Sequence, residues 1–64
     1  MMSDFKVGNK VTIVRNIPSV SGMLYEGTKA KIDGIGFPDK DLRVIDETGK
    51  IWYINFEDVV KWVY

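Results

Sequence analysis

The sequence predicts an all-β protein, built as a small barrel or as a pair of packed sheets. Three observations lead to this prediction: runs rich in β-branched and aromatic residues recur along the chain, turn-forming residues separate them at short spacing, and no segment has the apolar period of a helix. Many short strands without helices are typical of these architectures, and we predict five. The 64 residues are expected to form a single domain, 1–64, with a flexible terminus at 1–4.

The first strand is predicted over 5–15, where the turn or bulge signal Gly8-Asn9 interrupts it. Val11 and Ile13 alternate with other residues beyond this signal, which indicates that both side chains face the core.

A long loop is predicted over 16–27, because this segment has no apolar period and Pro18 excludes a central strand. Three residues are expected to fix its far end to the core: Met23, Leu24 and Tyr25.

The next strand is predicted over 28–33 from strict alternation, with Ala30 and Ile32 facing inward. An irregular connection with two glycines and one proline is then expected over 34–40.

A β-hairpin over 42–54 is the strongest local signal in the chain. Two β-rich runs flank a three-residue loop that ends in Gly49, and such loops place their last residue in the left-handed region. This turn predicts the register Leu42–Ile54, Arg43–Tyr53, Val44–Trp52, Ile45–Ile51 and Asp46–Lys50. We expect Trp52 to be buried opposite Val44, and Asp46 and Lys50 to form a cross-strand surface pair.

A single 3₁₀ turn is predicted over 55–58, because Asn55 is a favourable N-cap and acidic residues follow it. Phe56 is expected to turn into the core. The last strand is predicted over 59–64.

The order of these elements over 5–64 resembles the SH3-like barrel, with the 3₁₀ turn before the last strand. The segment 47–49 stands where that fold has its distal hairpin, 16–27 where it has its RT loop, and 34–40 where it has its n-Src loop. Residues 7–13 followed by 27–32 look like the first strands of prokaryotic and phage SH3-like domains and of KOW-type domains. This resemblance implies a five-stranded all-β barrel.

The chain departs from both families in ways that bear on function. Residues 14–17 lack the aromatic motif with which eukaryotic SH3 domains grip proline-rich peptides, so we do not expect PxxP binding. The segment between the first two strands is longer than KOW-type domains allow, and the balanced charge does not suit RNA.

The composition excludes several classes of function. There is no cysteine and no histidine, which rules out cysteine-based zinc sites, thiol catalysis, imidazole bases and Ser-His-Asp triads. The acidic residues do not have the spacing of a calcium loop. We therefore expect no metal, no cofactor and no enzymatic activity.

The expected location follows from composition as well. A chain without cysteine suits a reducing cytoplasm. No apolar segment follows 1–4, and no run approaches the ~20 apolar residues of a membrane span. We expect a cytoplasmic protein with no signal peptide and no membrane segment, present as a monomer or a weak homodimer.

The first functional hypothesis is a protein-interaction module. The predicted register places an apolar and aromatic group with one arginine on the outer face of the hairpin, and tyrosine and arginine are enriched at interface hot spots. The expected partner-binding residues are Tyr53, Arg43, Ile45, Ile51 and Tyr25. The alternative is that the long loop, Trp62 or Tyr64 covers this face as a second small core.

The second hypothesis is nucleic-acid binding. Four cations fall on outward positions of neighbouring strands and form a candidate basic strip: Lys10, Lys29, Lys31 and Arg43. The alternative is a solvated strand face that charge protects from aggregation. The 9 basic and 9 acidic residues balance, whereas a nucleic-acid-binding domain of this size is usually net basic.

Overall fold

A computed structural model describes residues 5–61, so the predictions for 1–4 and 62–64 lie outside the described residues. Within 5–61 the chain forms seven short strands, one 3₁₀ turn and no α-helix, which confirms the all-β prediction. In chain order the elements are β1 (Lys10–Ile13), β2 (Ile17–Ser19), β3 (Gly22–Leu24), β4 (Lys29–Ile35), β5 (Leu42–Asp46), β6 (Ile51–Ile54), the 3₁₀ turn (Phe56–Asp58) and β7 (Val59–Lys61).

Five strands form one antiparallel sheet in the order β6-β5-β4-β1-β7, and β2 pairs with β3 as a separate hairpin. Among the described residues no ladder joins β6 to β7, so these two strands are the edges of an open sheet. The closed barrel that we expected is therefore not found.

The β5–β6 hairpin has the predicted register. Four cross-strand pairs confirm it: Leu42–Ile54, Arg43–Tyr53, Val44–Trp52 and Ile45–Ile51. Gly49 has a φ of 90°, the left-handed conformation expected at the end of the loop. Because side chains alternate along a strand, Trp52 faces the core and Tyr53 faces outward.

The Asp46 carboxylate closes this hairpin. Its Oδ1 accepts hydrogen bonds from the Thr48 N–H at 2.9 Å, the Thr48 hydroxyl at 2.6 Å and the Lys50 N–H at 3.0 Å. Its Oδ2 accepts the Trp52 indole N–H at 2.9 Å. Burial alone would raise the pKa of Asp46, but these hydrogen bonds outweigh it and lower the pKa to about 2.

Asp46 and Lys50 lie opposite each other as predicted, joined by hydrogen bonds from the Asp46 N–H to the Lys50 carbonyl and from the Lys50 N–H to the Asp46 carboxylate, but the Lys50 ammonium makes its contacts elsewhere. The Lys50 ammonium lies 4.4 Å from the centre of the Trp52 ring and donates a hydrogen bond to the Ser21 carbonyl. Both carboxylate oxygens of Asp46 are occupied by donors within the hairpin, and the ring face provides the cation with another favourable contact. Lys50 thereby joins β6 to the turn between β2 and β3.

The core lies on the inner face of the sheet. Trp52 is 6% exposed, which confirms its predicted burial. Phe56 is partly buried and packs against the core, where its ring stacks on Phe5 with 5.6 Å between centroids. The four residues predicted to face inward on β1 and β4 are all buried: Val11, Ile13, Ala30 and Ile32. The other buried apolar residues are Leu24, Leu42, Val44, Ile54 and Val59.

The segment predicted as a loop over 16–27 contains the β2–β3 hairpin. Pro18 lies opposite Met23 in this two-stranded ladder, away from the main sheet. Leu24 is buried as expected, whereas Met23 and Tyr25 are exposed and do not fix the segment to the core. The prediction failed because proline and serine are typical of turns but are also tolerated in edge strands.

Strand β4 is longer than predicted, because it continues through Gly34 to Ile35. The pairing with β5 shifts between Ile32–Val44 and Gly34–Arg43, which leaves Asp33 without a partner in a bulge. The bulge turns the far end of β4 without ending the ladder.

The predicted 3₁₀ turn is confirmed, with Asn55 at its N-cap. The Asn55 N–H donates to the Asp58 carboxylate at 3.0 Å, and the Asp58 N–H donates to the Asn55 carbonyl at 3.0 Å. The buried Asp58 also lies 3.5 Å from the Arg15 guanidinium, and its carbonyl accepts the Val14 N–H. The turn therefore directs β7 alongside β1.

Replacing Asp46 by asparagine is expected to lower the free energy of unfolding at neutral pH by about 1–3 kcal/mol, because hydrogen bonds to a charged group are lost. The pKa of Asp46 falls from 3.8 to about 2 on folding. Its contribution is therefore full above pH 3.8 and is lost as the pH falls through about 2.

Urea unfolding across this pH range measures the effect. Glu47→Gln is the control, because Glu47 is an exposed neighbour whose side chain accepts no hydrogen bond from residues 5–61. Equal acid sensitivity in the wild type and in Asp46→Asn would contradict the assigned role of Asp46.

Candidate functional site

The outer face of β5 and β6 carries most of the predicted partner-binding residues. Tyr53 is 50% exposed and Ile51 is 49% exposed, while Ile45 and Arg43 on β5 are partly buried. The two cross-strand pairs bring all four residues onto one surface, as the hairpin register predicts.

A phenylalanine from the connection after β4 completes this surface. The ring of Phe37 meets the ring of Tyr53 edge to face, with 5.4 Å between centroids. The Arg43 guanidinium carbon lies 5.2 Å from the centroid of the Phe37 ring. We call these three residues the aromatic–arginine cluster. Such contacts hold each side chain in a defined position.

The bulge in β4 positions the arginine of the cluster. Arg43 Nε donates to the Asp33 carboxylate at 2.9 Å, and Arg43 also donates to the Asp33 carbonyl at 3.5 Å. Hydrogen bonding to Tyr53 raises the pKa of Arg43, burial opposes this, and the charge of Asp33 raises the pKa further. The guanidinium is therefore held between the Asp33 carboxylate and the Phe37 ring.

Gly34 provides the space that the cluster occupies. A Cβ at this position would lie 2.8 Å from Phe37 Cζ and 3.2 Å from an Arg43 nitrogen. Gly34 is the one glycine of the six whose φ is not positive. Its backbone conformation therefore does not require glycine, and the need for space beside Phe37 and Arg43 explains the residue. The sequence predicts a strand over 28–33 and an irregular connection over 34–40, and neither Asp33 nor Phe37 was predicted as a site residue. The one available signal was a single aromatic residue, Phe37, between a glycine and a proline.

Tyr25 does not belong to this surface. It is 64% exposed, and its carbonyl accepts the Thr28 N–H just before β4 begins. Tyr53 instead lies beside Arg43, which pairs with Gly34 near the other end of β4. At ~3.3 Å per residue, the two tyrosines are roughly 20 Å apart along the strand.

The other residues of the range 5–61 cover this face only in part. The β2–β3 hairpin packs on the inner side of the sheet through the buried Leu24, so it does not form a second core on the outer side. Among the described residues, Phe37 is the only one whose ring contacts the ring of Tyr53. The expected covering role of Trp62 or Tyr64 concerns residues outside the described range.

Three of the four cations of the candidate strip lie together. Lys10 and Lys31 are directly opposite each other on β1 and β4, and Lys29 lies two residues before Lys31. The three line a shallow concavity with a volume of about 520 Å³, which Asp33 and Glu47 also line. Arg43 is not part of it, because the bulge commits this residue to Asp33.

Residues 5–61 contain no group of three or more acidic side chains placed to hold a metal ion. The buried Asp58 is used by the 3₁₀ turn and Arg15. In the same part of the chain, no helix has the length and apolar character needed to cross a membrane.

Comparison with known proteins identifies no relative, since no family model, curated protein or solved structure matches the chain. The resemblance to SH3-like and KOW-type domains therefore remains a prediction. The assignment of the candidate site is based only on the positions and contacts of the described residues.

Replacing Gly34 by alanine is expected to displace Phe37 and lower the free energy of unfolding by about 1 kcal/mol, in the range of moderate overpacking. Phe37→Ala removes the ring that the new methyl group would meet. In that background the same glycine substitution is expected to cost clearly less. Chemical unfolding of the four proteins in this double-mutant cycle measures the coupling. Equal costs in both backgrounds would show that Gly34 does not make room for Phe37.

Proposed function

We propose that the chain is a non-enzymatic interaction module that docks on a larger protein through the outer face of β5 and β6. The observation that carries this proposal is the half-exposed Tyr53, held by Phe37 and Arg43 and flanked by Ile51. Tyrosine and arginine in a partly apolar surface are the residues that dominate binding energy at protein interfaces.

The order within the cluster supports binding. Side chains that are already held in place lose little conformational entropy when a partner covers them. Phe37 and Asp33 restrict Arg43 from two sides, and the edge-to-face contact restricts Tyr53. The cluster therefore offers a pre-organised contact area.

The charge of the cluster indicates the kind of partner surface. Arg43 lies 2.9 Å from the Asp33 carboxylate, so its charge is already compensated. We expect an apolar partner surface with a hydrogen-bond acceptor for the Tyr53 hydroxyl, rather than a strongly acidic one.

We also propose that the architecture is SH3-like and that the protein acts in the cytoplasm of a bacterium or in phage-infected cells. The strand order, the β2–β3 hairpin between β1 and β4, and the 3₁₀ turn before β7 support the first part. The absence of cysteine supports the second, since it suits a reducing compartment.

A photo-crosslinking amino acid at position 53 is expected to capture a specific protein in cells that make the chain, and the same amino acid at position 25 is not. With the captured protein purified, Tyr53→Ala and Arg43→Ala are expected to weaken its affinity by at least about tenfold, as at hot spots.

Tyr25→Ala is the matched control, because Tyr25 is also a largely exposed tyrosine and is distant from the cluster. If all three variants bind the captured protein with wild-type affinity in titration calorimetry, the proposed face is incorrect.

Nucleic-acid binding is a second candidate, which the juxtaposition of Lys10 and Lys31 favours. Like charges directly opposite each other on neighbouring strands are destabilising. A phosphate backbone over the concavity would meet three lysines and would bind with steep salt dependence.

Lys31→Glu is expected to weaken nucleic-acid binding and to stabilise the fold. It should abolish low-salt binding of short DNA or RNA, while raising the free energy of unfolding by about 0.2–1 kcal/mol through an attractive pair with Lys10. Lys40→Glu makes the same charge change at an exposed site outside the strip. Fluorescence anisotropy and thermal unfolding measure both effects. Equal binding losses in both variants would argue against a defined strip.

A further inference from the structure

Among residues 5–61, strand β6 is an open edge without the usual protection against pairing. Within 5–61 only β5 lies alongside it. Its four residues, Ile51–Ile54, include no charge, no proline and no bulge. Natural edge strands commonly carry one of these features, since unpaired N–H and C=O groups attract other strands. The opposite edge, β7, carries the exposed Lys61.

The backbone groups that face this edge belong to Ile51 and Tyr53. The Asp46 N–H donates to the Lys50 carbonyl, so this pair is hydrogen-bonded. Hydrogen-bonded pairs alternate along an antiparallel ladder, which assigns the Trp52 backbone groups to β5. The N–H and C=O groups of Ile51 and Tyr53 consequently point away from β5. Neither residue makes another backbone hydrogen bond within 5–61.

Lys50, the cation that directly precedes β6, is turned away from the edge. Lysine commonly prevents edge-to-edge pairing. The Lys50 ammonium is instead held over the Trp52 ring on the inner side and is bonded to the Ser21 carbonyl. A second strand that approaches β6 therefore meets apolar side chains and backbone groups that no residue of the range 5–61 pairs with.

The edge is complementary to itself. In an antiparallel pair centred on Trp52, Ile51 of one copy lies opposite Tyr53 of the other, and the reverse pair is equivalent by symmetry. Each such pair joins two residues with outward backbone groups and exchanges both N–H···O bonds. On the outer face it sets an aromatic against a β-branched side chain, a favourable combination. A pair centred on Tyr53 would instead place Ile51 opposite the 3₁₀ cap Asn55.

We propose that two copies of the chain associate through antiparallel pairing of their β6 edges, centred on Trp52. The two sheets then become one continuous sheet, and Ile45 and Ile51 of one copy extend the apolar surface of Tyr53 on the other. No like charges meet in this register. The strands are short, so the area buried is below that of stable dimers, and the association is weak and depends on concentration.

Sedimentation equilibrium of the purified chain from micromolar to millimolar concentration tests the proposal. Ile51→Lys is expected to weaken dimerisation at least tenfold, because the new charge must be buried beside an aromatic ring. Val60→Lys is the matched control, since Val60 is 51% exposed on the other edge strand, β7. It should dimerise like the wild type.

Cysteine trapping identifies the register, because the chain has no cysteine of its own. A mixture of Ile51→Cys and Tyr53→Cys is expected to form mainly the mixed disulfide, whose Cα atoms lie about 5.5 Å apart in a hydrogen-bonded pair. Ile51→Cys alone should cross-link poorly.

A monomer at millimolar concentration, or a dimer sensitive to Val60→Lys but not to Ile51→Lys, would overturn the proposal. These experiments use the chain without any other protein, so their outcome is separate from that of the docking hypothesis.

Discussion

The hydrogen bonds of the Asp46 carboxylate determine the geometry on which both faces of the sheet depend. One oxygen holds the loop after β5 and the other holds the Trp52 indole, so the turn and the largest buried side chain of β6 are fixed by the same group. A shift of one residue in this register would send Trp52 to solvent and Tyr53 into the core. The outer surface thus takes its arrangement from an interaction on the inner side.

In a domain of 64 residues most large apolar side chains are needed for the core, so few remain to form a binding surface. One irregularity in the sheet, the bulge in β4, orders the surface that is present. The bulge at Asp33 offsets the far end of β4. Asp33 then accepts a hydrogen bond from Arg43, and Gly34 leaves space for the Phe37 ring that packs against Arg43. The surface acquires its order from backbone geometry as much as from its side chains.

Local patterns predicted the parts of the fold that local physics controls. Alternation and a glycine at position 49 were sufficient for the β5–β6 register, and acidic residues after Asn55 were sufficient for the 3₁₀ turn. The place of Phe37 could not be predicted, because it depends on a cavity above Gly34 that exists only once β4 and β5 have paired. Likewise, Pro18 indicated a loop, since nothing in the sequence shows that a small separate hairpin can accommodate a proline.

The pairing of β1 with β7 has a consequence for how the chain folds. Val11 and Lys61 lie opposite each other although roughly 50 residues separate them in sequence, whereas the β5–β6 pair closes a loop of three. Contacts of such unequal range do not form at equal speed. The local hairpin is expected to be an early nucleus, and docking of the C-terminal strand beside β1 a late event. The same ladder would then be among the first to open in the native ensemble. Strand β7, which pairs only with β1 among the described residues, would lose its hydrogen-exchange protection in that event, whereas β1 stays paired with β4.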